Sequence, residues 1–440
     1  MSDFEHSYEG CYGKPCKASV IVSWIDRLCG DNADKLNTER WTGNIWGHPG
    51  VGKTSLVKQL TNHPVYFKGK KYPGYKIIDI PLAQIEEMGD ILGVPDDYIE
   101  MSKFEEVPGG EGQGWIKQEL RKWILAKEAI MTAYLNMGWK FVDGSNAVTR
   151  YAKPDWVPTE ECPGIIIFDD ANRASIRILK GLMQLIQNYR TIAWEIPAGW
   201  NIIFTGNPDT QNYLVQAVDQ AILTREKHIT MIPDAREWSL WAENNGVDPR
   251  GINFILRMQE VIRGGVRTNM RTLTEFFKCT KKYQTLETKR IAADGTEKYH
   301  LIDDVHIDGM SLIDEETLTQ FVTFVSRDMK LIIEPDMVLN DVKTALDLTE
   351  KLMTNGEARV DIIGVTCDRL VAYMFKDAYK IQDHHINNFQ EYLTCKYMPD
   401  DLRHSVMKRI ADSPKTELQT FLLNNKAIHT LVKESLRMTI

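Results

Sequence analysis

Apolar positions repeat with two different periods along this chain, and the change of period divides it. Up to about residue 233, short apolar runs alternate with helical patterns. Trp41 to Trp46 (WTGNIW), Tyr75 to Ile80 (YKIIDI), Gly164 to Phe168 (GIIIF), Asn201 to Thr205 (NIIFT) and Ile229 to Ile232 (ITMI) read as strands. Runs this short, bounded by Gly, Pro or acids, fit strands buried on both faces. Between them the 3.6-residue period predicts helices at Lys17 to Leu28, from Ser55, over Pro81 to Leu92 and over Ala171 to Gln187. Trp115 to Met137 also fits that period, with Trp115, Ile116, Leu120, Trp123, Ile124, Ile130, Tyr134 and Leu135 on its apolar face. Tyr189 to Trp200 (YRTIAWEIPAGW) reads as a β-hairpin. Alternation of this kind predicts a parallel sheet covered by helices on both faces.

From Asp234 onward the pattern turns helical. Helices are expected over Ala235 to Glu243, over Gly251 to Ile262 and after Arg267, the last with Thr268 or Asn269 as N-cap. Asp294-Gly295, between alternating residues from Thr288 to Ile302, signals a hairpin. Residues 311–440 are mostly helical and carry no readable motif, which suits a packing or assembly region. The expected domains are an N-terminal helical segment (1–40), an α/β nucleotide-binding core (41–233) with a helical insert about 96–160, a helical lid (234–310) with a hairpin about 288–302, and a helical C-terminal region (311–440).

Composition narrows the class. The 440 residues have the apolar and charged fractions of an ordinary soluble protein. The net charge of −8 argues against a dedicated nucleic-acid binder. No run of 18 apolar residues suggests a membrane span, and MSDFEHSYEG is not a signal segment. A cytoplasmic location is therefore expected, with no membrane partner. Seven scattered cysteines, without a C-x-x-C, read as reduced thiols.

The chemistry is concentrated at Gly47-His48-Pro49-Gly50-Val51-Gly52-Lys53-Thr54, followed by Ser55. This is a full G-x-x-x-x-G-K-[ST] phosphate loop, set between an expected strand and an expected helix. Its backbone N–H groups would surround a phosphate. Lys53 would reach the β- and γ-phosphates of ATP, and the Thr54 hydroxyl would hold Mg²⁺. The run Gly164-Ile165-Ile166-Ile167-Phe168-Asp169-Asp170 ends in acids. Asp169 is placed to hold Mg²⁺ opposite Thr54, and Asp170 to orient the attacking water. Asn207 follows the NIIFT strand and suits the positioning of water beside the γ-phosphate. The stretch Pro108 to Gly114 is Gly-rich but lacks a Lys-Thr/Ser ending, and reads as a flexible loop.

In order along the chain, GHPGVGKT, IIIFDDANRA, IPAGW, IIFTGNP, VDQAILTREKHI, REWSLWA and NMRTLTEF resemble the MoxR-like branch of the AAA+ ATPases. The resemblance covers residues 45–280 at motif level. It implies an AAA+ core with a helical lid, a ring of subunits (a hexamer), and ATP hydrolysis that remodels or matures a protein client. A partner with a von Willebrand factor A domain is also implied. Position by position, the resemblance makes Lys53 and Thr54 the Walker A pair, Asp169 the Walker B acid and Asn207 sensor 1. Arg225 would be the arginine finger, and Arg271, with Arg267 as the other candidate, sensor 2. Arg173 would face the subunit interface, and the Tyr189–Trp200 hairpin would lie at the ring pore. Tyr12 to Ala18 would flank the adenine.

Two residues depart from the family pattern. Asp170 stands where most members have Glu, one methylene and about 1.5 Å longer. A misplacement of ~1 Å can cost on the order of 100-fold. Glu226 follows Arg225 where Phe is usual, and a carboxylate there would restrain the arginine until subunits dock. Two other readings compete: a nucleic-acid motor resembling the McrB restriction NTPase, and a nucleotide-gated scaffold that does not hydrolyse.

Overall fold

The computed structural model describes residues 10–108, 115–144, 146–208, 220–291, 297–412 and 415–424. The Gly-rich stretch 109–114, the start of the segment at Leu214 and the Asp294-Gly295 turn lie outside the described residues. The chain divides into two compact units. One comprises Met1–Cys16, Val20–His48 and Lys53–Met231; the other comprises Lys17–Ser19, Pro49–Gly52 and Ile232–Ile440.

The first unit is built on six parallel strands. They are β1 (Lys14–Cys16), β2 (Thr42–Trp46), β3 (Lys76–Pro81), β4 (Gly164–Asp169), β5 (Trp200–Gly206) and β6 (Glu226–Met231), in the order β1-β6-β2-β5-β4-β3. All five residues of β2 and all seven of β5 are buried, as strands covered on both faces require. On one face, α1 (Ala18–Ala33) packs so tightly on β2 that a Cβ at Gly43 would meet Leu28 at 2.7 Å and Trp24 at 2.9 Å. The other face includes Ile166, Phe168, Ile202 and Phe204, which form one core with Ile178, Leu182, Leu185 and Ile186 of α3 (Ile176–Asn188). The phosphate loop joins β2 to α2 (Lys53–Gln59) at the carboxyl ends of the strands, where parallel sheets hold ligands. Among the described residues no helix is long and apolar enough to cross a membrane.

Two expected elements take another form. The insert between β3 and β4 is mainly β, not helical. Val94–Pro108 pairs antiparallel with Trp115–Leu125 over eleven positions, and Lys140–Phe141 and Val148–Ala152 add to the same sheet. Of the expected helix over Trp115 to Met137, only Glu128–Asn136 is helical. The apolar positions fit a helix by spacing, but they also fit a strand. Ile116 and Ile124 fall on one face, opposite Val107 and Ile99, and cross-strand pairs of this kind stabilise a hairpin beyond local propensity. The Pro81–Leu92 helix is likewise reduced to short turns at Leu82–Gln84 and Gly89–Leu92.

Tyr189 to Trp200 keeps the expected hairpin in a short form, with an antiparallel bridge between Arg190 and Glu195 and backbone bonds from the Thr191 N–H to the Trp194 carbonyl and from the Ile196 N–H to the Tyr189 carbonyl. Tyr189, Trp194, Ile196 and Trp200 are all buried, and the Trp194 indole donates to the Ile91 carbonyl. Four large apolar side chains in twelve residues draw most of the hairpin onto the core, while Ile192 at its tip is exposed.

In the second unit, α4 (Ala235–Asn244), α5 (Pro249–Arg257) and α6 (Met270–Thr280) follow one another. Each begins at a polar cap: Asp234, Asp248 and Asn269, the last in a capping box with Thr272. A hairpin, Glu287–Ile291 with Glu297–Leu301, comes next. Helices then continue to Asn424 around α7 (Val360–Phe375), of whose sixteen residues eleven are buried. The class is therefore the expected one: a parallel sheet between helices, followed by a mostly helical region.

Candidate functional site

The site begins with backbone. Gly50 and Gly52 hold φ of 79° and 100°, values that L side chains rarely adopt. These two positions let the loop turn back on itself between Trp46 and Lys53. Lys53 then opens α2 and is buried. Its ammonium donates to the carbonyls of Gly47 (2.7 Å) and His48 (3.2 Å) and to Asn207 Oδ1 (3.1 Å). His48 is half-buried and Ser55 is exposed. These three acceptors of the Lys53 ammonium are all neutral oxygens.

Asn207 continues the chain of bonds. Its Nδ2 donates to Asp170 Oδ1 at 2.7 Å. Asn207 is itself clamped by Asn172, whose Nδ2 donates to the Asn207 carbonyl (2.7 Å) and whose Oδ1 accepts the Asn207 N–H (3.1 Å). Asp170 has a left-handed backbone, φ 52°. That turn directs the chain away from β4 immediately after Asp169, and Asp tolerates it better than most residues. Arg173 approaches Asp170 Oδ2 at 3.8 Å.

A second cluster sits beside the first. The Thr54 hydroxyl donates to Asp169 Oδ1 at 2.6 Å. The Thr205 hydroxyl bonds the same carboxylate oxygen and accepts the Asp170 N–H at 3.1 Å. Thr205 therefore joins the two acids. A hydroxyl and a carboxylate side by side form a set of hard oxygen donors that suits Mg²⁺. The N-terminal segment lies close by. Burial pushes the Cys11 thiol up to about 11, against the opposing pull of the Lys53 ammonium. The Tyr12 ring packs edge-on against Trp46 of β2, centroids 4.9 Å apart.

The structure thus brings Lys53, Thr54, Asp169, Asp170 and Asn207 into one hydrogen-bonded neighbourhood. Arg225 is placed differently. It lies between the short helix Gln220–Leu223 and β6, where its Nε donates to Gln187 Oε1 at 3.2 Å and its Nη1 to the Ala221 carbonyl. The expectation that Glu226 restrains Arg225 is overturned: the Glu226 side chain points into the core and accepts from Asn44 Nδ2 of β2 at 2.7 Å. Arg271 is exposed in the first turn of α6 in the second unit, and Arg267 is exposed just before that helix. Sequence reasoning missed Thr205, Asn172 and Asn44. Thr205 leaves a signal, as a polar residue closing the apolar run Ile202-Ile203-Phe204, whereas Asn44, beside Thr42 and Gly43, does not stand out.

No protein-family model matches the chain. One similar solved structure is NtrX from Brucella abortus in complex with ADP, at 11% identity over 70% of this chain and 62% of that one, TM-score 0.32. Another is the closed state of Hsp104 with ATPγS and FITC casein, at 11% identity over 60% of this chain and 45% of that one, TM-score 0.29. The strand order and the elements that follow it define a parallel α/β core followed by a mostly helical region.

Proposed function

We propose that this chain is an ATP-hydrolysing ring ATPase of MoxR-like type, which couples hydrolysis between subunits to the remodelling or maturation of a protein client. The observation that carries the reading is the continuous bonding from Lys53 through Asn207 to Asp170, with Thr54 and Asp169 alongside. A lysine for the phosphates, an acid for the water and an amide bonded to both are the parts that phosphoryl transfer to water needs.

Each residue has a role in this reading. Lys53 and the N–H groups of the loop residues Gly47 to Thr54, Pro49 excepted, hold the β- and γ-phosphates. Thr54 and Asp169 would hold Mg²⁺, which when bound neutralises developing phosphate charge. Asp170 accepts a proton from the attacking water, or orients it, while Asn207 fixes the Asp170 carboxylate in place. Arg225 reaches the γ-phosphate of the neighbouring subunit. Its present partners are a neutral amide and a carbonyl. Exchanging them for a phosphate separates no ion pair, which suits a residue that must move to a neighbour. Arg271 serves as sensor 2. The client, a von Willebrand factor A domain partner and the six-fold ring belong to the same proposal.

The experiment is ATP turnover against protein concentration, with sizing in parallel, on wild type, Arg225→Ala and Lys53→Ala. An arginine finger is worth roughly 10³–10⁵ in rate. Arg225→Ala is therefore expected to lose about that factor while still binding ATP and assembling. Mixing the two inactive variants should restore part of the activity, because intact Lys53 and intact Arg225 then meet across a boundary. Turnover by a monomer, unchanged in Arg225→Ala, would sink the ring mechanism. Rings that bind ATP and never turn over would favour the scaffold.

A further inference from the structure

Behind the phosphate loop, in the core of the first unit, lies a polar pair that the proposed reaction does not use. Glu226 is the first residue of β6 and Asn44 the third of β2, the strand that enters the loop. The Glu226 side chain is 1% exposed, and Asn44 is equally enclosed. Asn44 Nδ2 donates to Glu226 Oε2 at 2.7 Å, yet Asn44 Oδ1 is buried without a hydrogen-bond donor. An unsatisfied buried carbonyl beside a buried carboxyl has a simple remedy, since a protonated acid supplies the missing O–H. Exchanging the oxygen and nitrogen of the amide leads to the same requirement, because Oδ1 would then face the carboxyl and need a donor from it.

Among the described residues the surroundings offer no compensating charge. A small cavity beside the pair is lined by Leu179 and Ile186 of α3, Phe204 of β5, Ile222 of the short helix, and Asn172 after β4; Glu226 is the ionisable side chain in that lining. His228, two residues along β6, approaches Glu226 Oε2 at 4.0 Å. Its ring is neutral by its bonding. Nε2 faces the Leu223 carbonyl at 2.8 Å and must donate, while Nδ1 accepts from the Trp46 indole at 3.1 Å. Burial also holds the His228 ring below its ordinary value. The Arg225 guanidinium is bonded to Gln187 and Ala221. An ionised Glu226 would therefore be a buried charge with no counter-ion among the described residues, which is strongly unfavourable.

We propose that Glu226 is held as a neutral carboxylic acid, paired face to face with the Asn44 carboxamide, and that this pair positions Arg225 by fixing the first residue of β6 against β2. The acid O–H donates to Asn44 Oδ1 while Asn44 Nδ2 donates to the acid carbonyl, so each partner is satisfied twice. Arg225 immediately precedes Glu226, and its Cα is set by where β6 begins. The pair thus ties the strand feeding the phosphate loop to the residue that serves the neighbouring site. Burial pushes the Glu226 carboxyl up to about 8, opposed by the Asn44 hydrogen bond, so the acid form dominates at neutral pH. Ionisation above that pH breaks the pairing and frees the start of β6.

The positioning role rests on the reading of Arg225 as the residue that acts across subunits; the pairing itself does not. The test compares wild type with Glu226→Gln, which keeps the shape and supplies an N–H donor without a titrating proton. At neutral pH the wild type should show a protonated-carboxyl infrared band that Glu226→Gln lacks. At saturating ATP, wild-type turnover should fall about tenfold per pH unit above pH 8, as loss of one essential proton requires, with KM for ATP unchanged. Glu226→Gln should stay flat through the same range. Absence of the band from wild type overturns the pairing without any variant having to fold. Coincident pH profiles overturn the positioning role. If Arg225→Ala leaves turnover untouched, the finger reading and the positioning role fall together, while the band still decides the pair.

Discussion

The two flanks of β2 treat their carboxyl groups in opposite ways. Toward β5 and β4, Asp169 and Asp170 stand half-buried at the strand ends, each within reach of donors: two hydroxyls for Asp169, an amide and a nearby guanidinium for Asp170. Toward β6, Glu226 stands inside the sheet with one amide and an apolar cavity for company. Donors and partial solvation favour the charged form, whereas desolvation without a cation favours the neutral form. One sheet therefore supplies its acids with several donors where chemistry is proposed, and encloses an acid with a single amide where strands must be held together. Burial and partners, rather than residue type, set the role.

The comparison breaks most visibly at Asp170. If this carboxylate serves as a base and not merely as a partner for Asn207, Asp170→Asn should reduce kcat by about 10²–10⁴. The amide keeps the size and an oxygen for Asn207 Nδ2, so ATP affinity should change little. Single-turnover hydrolysis together with nucleotide titration separates the two quantities. A loss of binding equal to the loss of rate would mean that Asp170 is structural, and that the two flanks differ less than their surroundings suggest.

The Glu226 side is sharpened by pH. A folded-state value of about 8 lies above the ordinary glutamate value of 4.5. Between those values the unfolded chain has released the proton and the folded chain has kept it. Stability therefore falls as pH rises from about 4.5 to about 8, and levels off above. The full span is on the order of several kcal/mol. Thermal melts from pH 5 to pH 9 should show this decline in wild type, and a shallower one in Glu226→Gln. Equal slopes in the two proteins would place the charged form inside the sheet and remove the contrast.

How much of this was legible without coordinates follows the same physics. The phosphate loop and the acids after IIIF are read directly, because spacing is dictated by the ligand they are shaped to meet. The α/β class follows from apolar runs that cannot be amphipathic. The insert was misread because Ile116, Leu120 and Ile124 recur every four residues, a spacing that suits one face of a helix and equally the same face of a strand. What decides between them is pairing with Val107, Lys103 and Ile99, which lie earlier in the chain, across the hairpin. The Tyr189 to Trp200 hairpin is legible as a strand pair, but its packing is not: Tyr189, Trp194, Ile196 and Trp200 are buried. Glu226 was visible as a departure from the family pattern, but its direction was not. Whether a side chain at a strand start faces its preceding residue or the core is fixed by the neighbouring strand, here by Asn44.

The smallest effect is expected at Thr205, the hydroxyl that joins the two acids on the flank toward β5 and β4. It bonds Asp169 Oδ1 and accepts the Asp170 N–H. Thr205→Val keeps the volume of this fully buried residue and removes both bonds. Leaving the Asp170 N–H without its acceptor should cost about 1–3 kcal/mol of stability, less wherever water replaces the hydroxyl. The consequence for rate should be modest, because Asn207 still holds the Asp170 carboxylate and Thr54 still meets Asp169. A calorimetric melt and a kcat measurement on the same preparation test this. A drop in kcat as large as that of Asp170→Asn would show that the left-handed turn at Asp170, rather than its bond to Asn207, sets the position of the carboxylate. That flank would then depend on backbone held by one hydroxyl, as the Glu226 flank depends on strands held by one amide.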